Sequence, residues 1–132
     1  MGAAVVTICD ETPGGFRSTP FRLELVSERI TVRELIRRRV QVEVEAYNRA
    51  TPEYFQGLVQ PTDAERVLNG YRLRSRRQLD WKEQFDKAIE GFASNGFFMV
   101  LDDRQLELLD EELVIGPSTE VRFIKLVQLV GG

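Results

Sequence analysis

Histidine does not occur in this sequence, and its absence removes much of enzyme chemistry. No Ser-His-Asp or Cys-His arrangement can be assembled, and no histidine zinc site can form. Carboxylates or a lysine could in principle catalyse alone. No paired-carboxylate site can be argued from the spacing, so the chain reads as something other than an enzyme. Cysteine is almost as scarce. Cys9 stands by itself, which rules out an intramolecular disulfide and suits a reducing cytoplasm. Set in an apolar strand, it is expected to be a small buried side chain rather than a nucleophile. Lysine is limited to Lys82, Lys87 and Lys125, with arginine supplying every other basic side chain. No apolar run approaches the roughly 20 residues that span a bilayer. The opening stretch "MGAAVVTICDE" has neither the basic n-region nor the long apolar h-region of a signal peptide. It also lacks the Ser or Thr of a myristoylation motif. A cytoplasmic protein is expected.

What is present is ordinary for a folded domain. The chain has 132 residues, 42% hydrophobic and 30% charged, enough for one domain with a real core. Its net charge of −3 argues against generic nucleic-acid binding.

Local patterns give the elements. "AAVVTIC" is short and β-branched, a strand. After the turn residues "TPGG", "FRLELV" alternates, with Phe21, Leu23 and Leu25 on one face. The two runs form an opening hairpin. Thr31 and Glu34 have capping-box spacing ahead of Val32, Leu35, Ile36 and Val40 on one helical face. A helix is expected from about Val32 to Tyr47, with Pro52 as a stop. Arg39 and Glu43 fall near the middle of its apolar face, at a spacing that would let them pair.

Residues 51 to 96 differ in character. "PTDAERVLNG" reads as a short helix with Thr62 or Asp63 as its cap and Asn69-Gly70 as its terminator. "YRLRSRRQ" is a basic loop or short strand. "LDWKEQFDKAIEGFASNG" is an amphipathic helix capped by Asp80, its stripe made of Trp81, Phe85, Ala88, Ile89 and Phe92. A stripe at this spacing is expected in the core rather than as an exposed docking face. The last third returns to strands. "FFMVL" is a buried run, "DDRQ" a tight turn, and "LELLDEELVIGPSTE" a short strand, a turn and a loop. "VRFIKLV" closes with Val121 and Phe123 on one face. Asp102, Asp103, Asp110, Glu111 and Glu112 are expected in turns and at a solvated edge rather than around a metal. Arg37, Arg38 and Arg39 with Arg72, Arg74, Arg76 and Arg77 could form a basic surface for an acidic partner. A solvated helix face and loop is favoured. Strands around a principal helix make the fold class α+β, a mixed sheet packed on a main helix.

The order β-β-α-β-β with a last strand running into "VQLVGG" resembles the ubiquitin-like β-grasp family. Residues 5 to 40, with "TVRELI", resemble its first hairpin and helix. "FFMVLDDRQLELLDEEL" and "PSTEVRFIKLVQLVGG" resemble its second pair of strands, its loop, and its final strand and tail. The same succession recurs in ubiquitin and in the molybdopterin and thiamine sulfur carriers. The chain departs from that pattern in two places. Residues 51 to 96 are a helical insertion before the third strand, with no counterpart in the family. In the tail, Gln128 and Val130 stand where ubiquitin carries basic residues.

The resemblance implies a protein modifier, a single domain over 1 to 132 with a flexible tail from 126 to 132. The Gly132 carboxylate, beside Gly131, would be adenylated by an E1-like enzyme, passed on as a thioester and conjugated to target proteins through an isopeptide bond. The ATP and magnesium belong to that enzyme, so no bound cofactor and no catalytic residue or metal ligand of the chain's own is expected. An E2-like enzyme and a JAB-type deconjugating peptidase are the implied further partners, as for bacterial relatives of this kind, with neither nucleic acid nor membrane. Splitting amide formation into an acyl adenylate and a thioester divides one hard step into easier ones. Glycine lets the carboxylate thread into a narrow site because it lacks Cβ. Leu126, Val127, Leu129 and Val130, with Gln128 between them, would fill an apolar groove on the partner. Each such side chain buried is worth roughly 1.5–3 kcal/mol before ordering costs. A scarcity of lysine fits a carrier that must escape its own cascade, and equally an arginine-favouring genome. Two other functions stay open: a sulfur carrier bearing a C-terminal thiocarboxylate, and a non-covalent ubiquitin-like adaptor in which the glycines are incidental.

Overall fold

Thr31 opens the principal helix in the way its spacing predicts. Its hydroxyl accepts the Glu34 N–H at 3.1 Å, and the Glu34 carboxylate accepts the Thr31 N–H at 3.1 Å. These paired bonds satisfy two of the N–H groups that a helix start leaves without intrahelical partners. In this computed structural model, which describes residues 3–68 and 70–126, eleven elements follow one another. They are β1 (Ala4–Glu11), β2 (Phe21–Leu25), β3 (Arg29–Thr31), α1 (Val32–Ala50), β4 (Ala64–Val67), β5 (Gly70–Leu73), α2 (Trp81–Ala93), β6 (Phe97–Leu101), β7 (Arg104–Leu106), β8 (Glu112–Val114) and β9 (Glu120–Lys125).

The main sheet has five strands in the order β2-β1-β9-β6-β7. β1 and β2 form the expected antiparallel hairpin, and β6 pairs antiparallel with both β7 and β9. β9 lies parallel to β1, with Ile8 opposite Val121 and Asp10 opposite Phe123. The chain is therefore α+β, with a mixed sheet carrying a helix on one face. Alternation along each strand sends one side chain in two toward that helix. Val6 and Ile8 of β1, Leu23 and Leu25 of β2, Met99 of β6, and Val121 and Phe123 of β9 are buried there against Val32, Leu35, Ile36, Val40 and Val44 of α1. Val121 and Phe123 share a face as the sequence implies. β3 and β8 form a small antiparallel pair beside the helix start, where the Val32 and Arg33 N–H groups donate to Glu111 O and Leu109 O.

α1 runs a turn further than expected and ends at Ala50. Thr51 closes it in the left-handed region at φ 37°, its N–H donating to Tyr47 O, immediately before Pro52. α2 packs against α1, and Asp80 caps it by accepting the Lys82 N–H at 3.0 Å. Ala88 and Phe92 of its stripe are buried, while Trp81, Phe85 and Ile89 are half-buried against the core. Asn48 ties the approach to α2 onto α1. Its side-chain amide donates to Leu79 O at 2.9 Å and accepts the Leu79 N–H at 2.8 Å.

One expected element is different. "PTDAERVLNG" is not a helix: β4 and β5 form an antiparallel hairpin in which Val67 pairs with Gly70. Gly70 is thus the first residue of β5, paired with Val67, rather than a residue just past a helix end. Gly70 has φ +125° and a Cβ there would lie 2.7 Å from Phe55 O, so only glycine fits. Glu65 stands opposite Arg72 and forms an ion pair with it, the cross-strand arrangement that stabilises a sheet. β5 is held on its other side by Phe55, with N–H to O contacts in both directions between Phe55 and Tyr71. Residues 51 to 96, read from the sequence as a helical insertion, are thus a hairpin followed by a helix. Among the described residues no helix is long and apolar enough to cross a membrane.

Replacing Thr31 by Ala removes one arm of the capping box. A loss of about 1 kcal/mol is expected, read as a lower urea midpoint with an unchanged slope. An unshifted midpoint would mean that the cap contributes nothing.

Candidate functional site

The tail proposed to carry the chemistry begins where β9 ends. Leu126 is the one predicted tail residue among those described, and it is 44% exposed. Val127, Gln128, Leu129, Val130, Gly131 and Gly132 lie outside the described residues. What the structure gives is the base from which they depart. There the insertion closes on the end of β9. The Leu126 N–H donates to Gly96 O at 3.2 Å, one step beyond the last β6–β9 pair, Phe97 with Lys125. The Lys125 ammonium donates to Gly57 O at 3.2 Å. Leu58, Val59, Arg66, Phe97, Lys125 and Leu126 line a groove of about 220 Å³ at this corner.

Behind the groove is a buried ionic network. Arg39 is only 2% exposed. Its guanidinium meets both carboxylate oxygens of Asp10 at 2.7 Å and donates through Nε to Glu43 at 2.9 Å. It also lies over the Phe123 ring, 4.5 Å from the centroid, and 5.3 Å from that of Phe21. The second oxygen of Glu43 accepts the Leu58 N–H at 3.0 Å. One side chain of α1 thereby grips β1, and its neighbour a turn away grips the insertion. Desolvation alone would pull the Arg39 pKa down. The Glu43 and Asp10 carboxylates outweigh it and hold the group above its ordinary value, so Arg39 stays charged. Lys125 is pushed the other way. Burial lowers its pKa, and Arg39 and Arg66 add to the effect, against partial compensation from Asp10 and Glu43.

The Arg39–Glu43 pair suggested by the sequence is therefore present, and Arg39 is removed from any basic surface. Its neighbour Arg38 donates to Glu24 O at 3.0 Å, and Arg77 donates to Thr62 O. The acidic residues considered for metal binding are placed otherwise. Asp102 sits in the β6–β7 turn at φ 53°. Asp110, Glu111 and Glu112 pair with Arg33, Arg104 and Arg29. Cys9 is fully buried, with the Arg17 guanidinium donating to its sulfur at 3.3 Å. Sequence reasoning missed Asp10 and the two insertion contacts. Asp10 had a signal: it continues the inward parity of Val6 and Ile8, and a carboxylate in that register demands a cation.

Substituting Arg39 by Met leaves Asp10 and Glu43 without their cation, and breaking a buried pair in this way costs about 3–5 kcal/mol. Combined with Asp10→Asn, the loss should fall short of the sum of the single losses, because the two sites share one interaction. Strict additivity in denaturant titrations would deny the coupling. For Lys125 the unfolded chain binds the proton more readily than the folded one. Stability should therefore rise with pH from the lowered folded value up to the ordinary 10.5, and level off above it. Against Lys125→Met the native chain should show that rise as a difference, and parallel curves across the window would contradict it.

Compared with protein-family models, with curated proteins and with solved structures, the chain matches none.

Proposed function

We propose that this chain is a ubiquitin-like β-grasp protein that acts as a modifier through Gly132. One observation carries the proposal: the strand order β2-β1-β9-β6-β7, with β9 central and parallel to β1. Two antiparallel pairs flank β9, the helix between them packs on one face, and in the sequence β9 is followed by "LVQLVGG". This arrangement is compatible with a β-grasp and supports the reading. The 51 to 96 insertion joins the helix to the second pair without altering the order of the main sheet.

In the first step the Gly132 carboxylate attacks the α-phosphorus of ATP and pyrophosphate leaves, giving an acyl adenylate. An enzyme thiolate then attacks the acyl carbon, AMP leaves, and a thioester results. A target amine finally displaces the thiol to form an amide. The chain supplies a slim acyl group and a rigid body from which to present it; catalysis belongs to the partners. Attack on the same adenylate by hydrosulfide, with AMP leaving, would give a thiocarboxylate instead, so the activating step serves both a modifier and a sulfur carrier.

Incubated with a cognate E1-like protein, ATP and magnesium, the full chain should form a thiol-sensitive adduct, and a chain lacking Gly131 and Gly132 should form none. Absence of adenylation and adduct with the cognate enzyme would overturn the proposal. Intact mass from native cells separates the outcomes: isopeptide ladders mark a modifier, and a free chain carrying one added sulfur marks a carrier.

A further inference from the structure

The groove at the base of β9 combines apolar surface with a cation that the described residues leave incompletely matched. An ammonium has three donors. Among the described residues, that of Lys125 makes one hydrogen bond, to Gly57 O at 3.2 Å. No carboxylate oxygen of the described residues comes within the 4.0 Å of an ion pair. The two acids near enough to attract it are Asp10 and Glu43. Both oxygens of Asp10 face Arg39, and Glu43 is divided between Arg39 and the Leu58 N–H. Arg66 adds a further positive field at the same place. A half-buried cation with spare donors favours an anion that can reach it.

The groove's size narrows the ligand class. About 220 Å³ is below the roughly 300–1,000 Å³ of a small-molecule or cofactor pocket. It suits one or two side chains of a peptide segment. Val59, half-buried, and Leu126, exposed at the rim where β9 ends, offer apolar contact in the groove that Lys125 lines, with Leu58 and Phe97 buried beneath them.

We propose that this groove is a docking site for an acidic segment of a partner protein, an Asp or Glu next to an apolar residue, with the carboxylate received by Lys125 and the apolar side chain by Val59 and Leu126. The site stands on charge complementarity and does not depend on diglycine activation. A protein that engages the tail would meet it at the same corner, so the insertion adds a second point of recognition beside the first.

The test uses the isotope-labelled full chain and two probes, acetyl-Leu-Asp-Leu-amide and its isosteric neutral counterpart acetyl-Leu-Asn-Leu-amide. The Asp probe should shift the backbone amides of Leu58, Phe97 and Leu126. It should bind about ten-fold more tightly than the Asn probe, as a hydrogen bond to a charged group implies. Lys125→Met should erase that preference while leaving the amide spectrum of the sheet in place. Equal affinities, or shifts confined to other surfaces, would overturn the proposal whether or not the variant folds. A full-chain Leu129→Ser/Val130→Ser variant that binds the Asp probe about ten-fold more tightly would also overturn it, by showing that the chain's own final residues fill the groove.

Discussion

A guanidinium taken out of water between two carboxylates sets the geometry of this molecule. Arg39 lies under the sheet, bonded to Asp10 of β1 and to Glu43 one turn along its own helix. Removing such charges from water is expensive, and their mutual attraction repays it only where the hydrogen bonds are complete. Here they are: among the described residues no buried side-chain nitrogen or oxygen lacks a partner. A well-packed apolar trio could match this network in stability. An apolar trio would not fix which azimuth of α1 faces β1, nor where residue 58 of the insertion must rest. The network gives orientation, and the core gives cohesion.

The main layers were legible because their signals are local. Capping at Thr31 and Asp80, the parity of Phe21, Leu23 and Leu25, and the period of the α2 stripe each follow from a few adjacent residues. "PTDAERVLNG" misled because helix ends and tight hairpins draw on the same residues. What decides between them is the Glu65–Arg72 pair and the bridge from Phe55 to Tyr71, neither visible before the strands are aligned. The base of the tail was illegible for a similar reason. Lys125 and Gly57 are far apart in sequence, and only the closed sheet brings them together.

The insertion is easily taken for an appendage, yet it is tied to the body by four separate means. Glu43 holds the Leu58 N–H, Lys125 holds Gly57 O, Asn48 clamps Leu79, and Gly96 O receives the Leu126 N–H. Three of the four converge on the corner where β9 stops.

The parallel pairing of β1 with β9 also governs how the molecule is made. Thr7 aligns with Glu120 and Glu11 with Ile124, so one edge of an early strand waits for a late one. Until then a nascent chain can form the first hairpin and α1, but β1 carries an open ladder of backbone groups, and β6 lacks its neighbour on that side. Contacts of such sequence separation form slowly because the loop must close before they contribute. In the interval the bare strand edge invites pairing with other chains, which makes the arrival of β9 the step that converts two unfinished halves into one sheet.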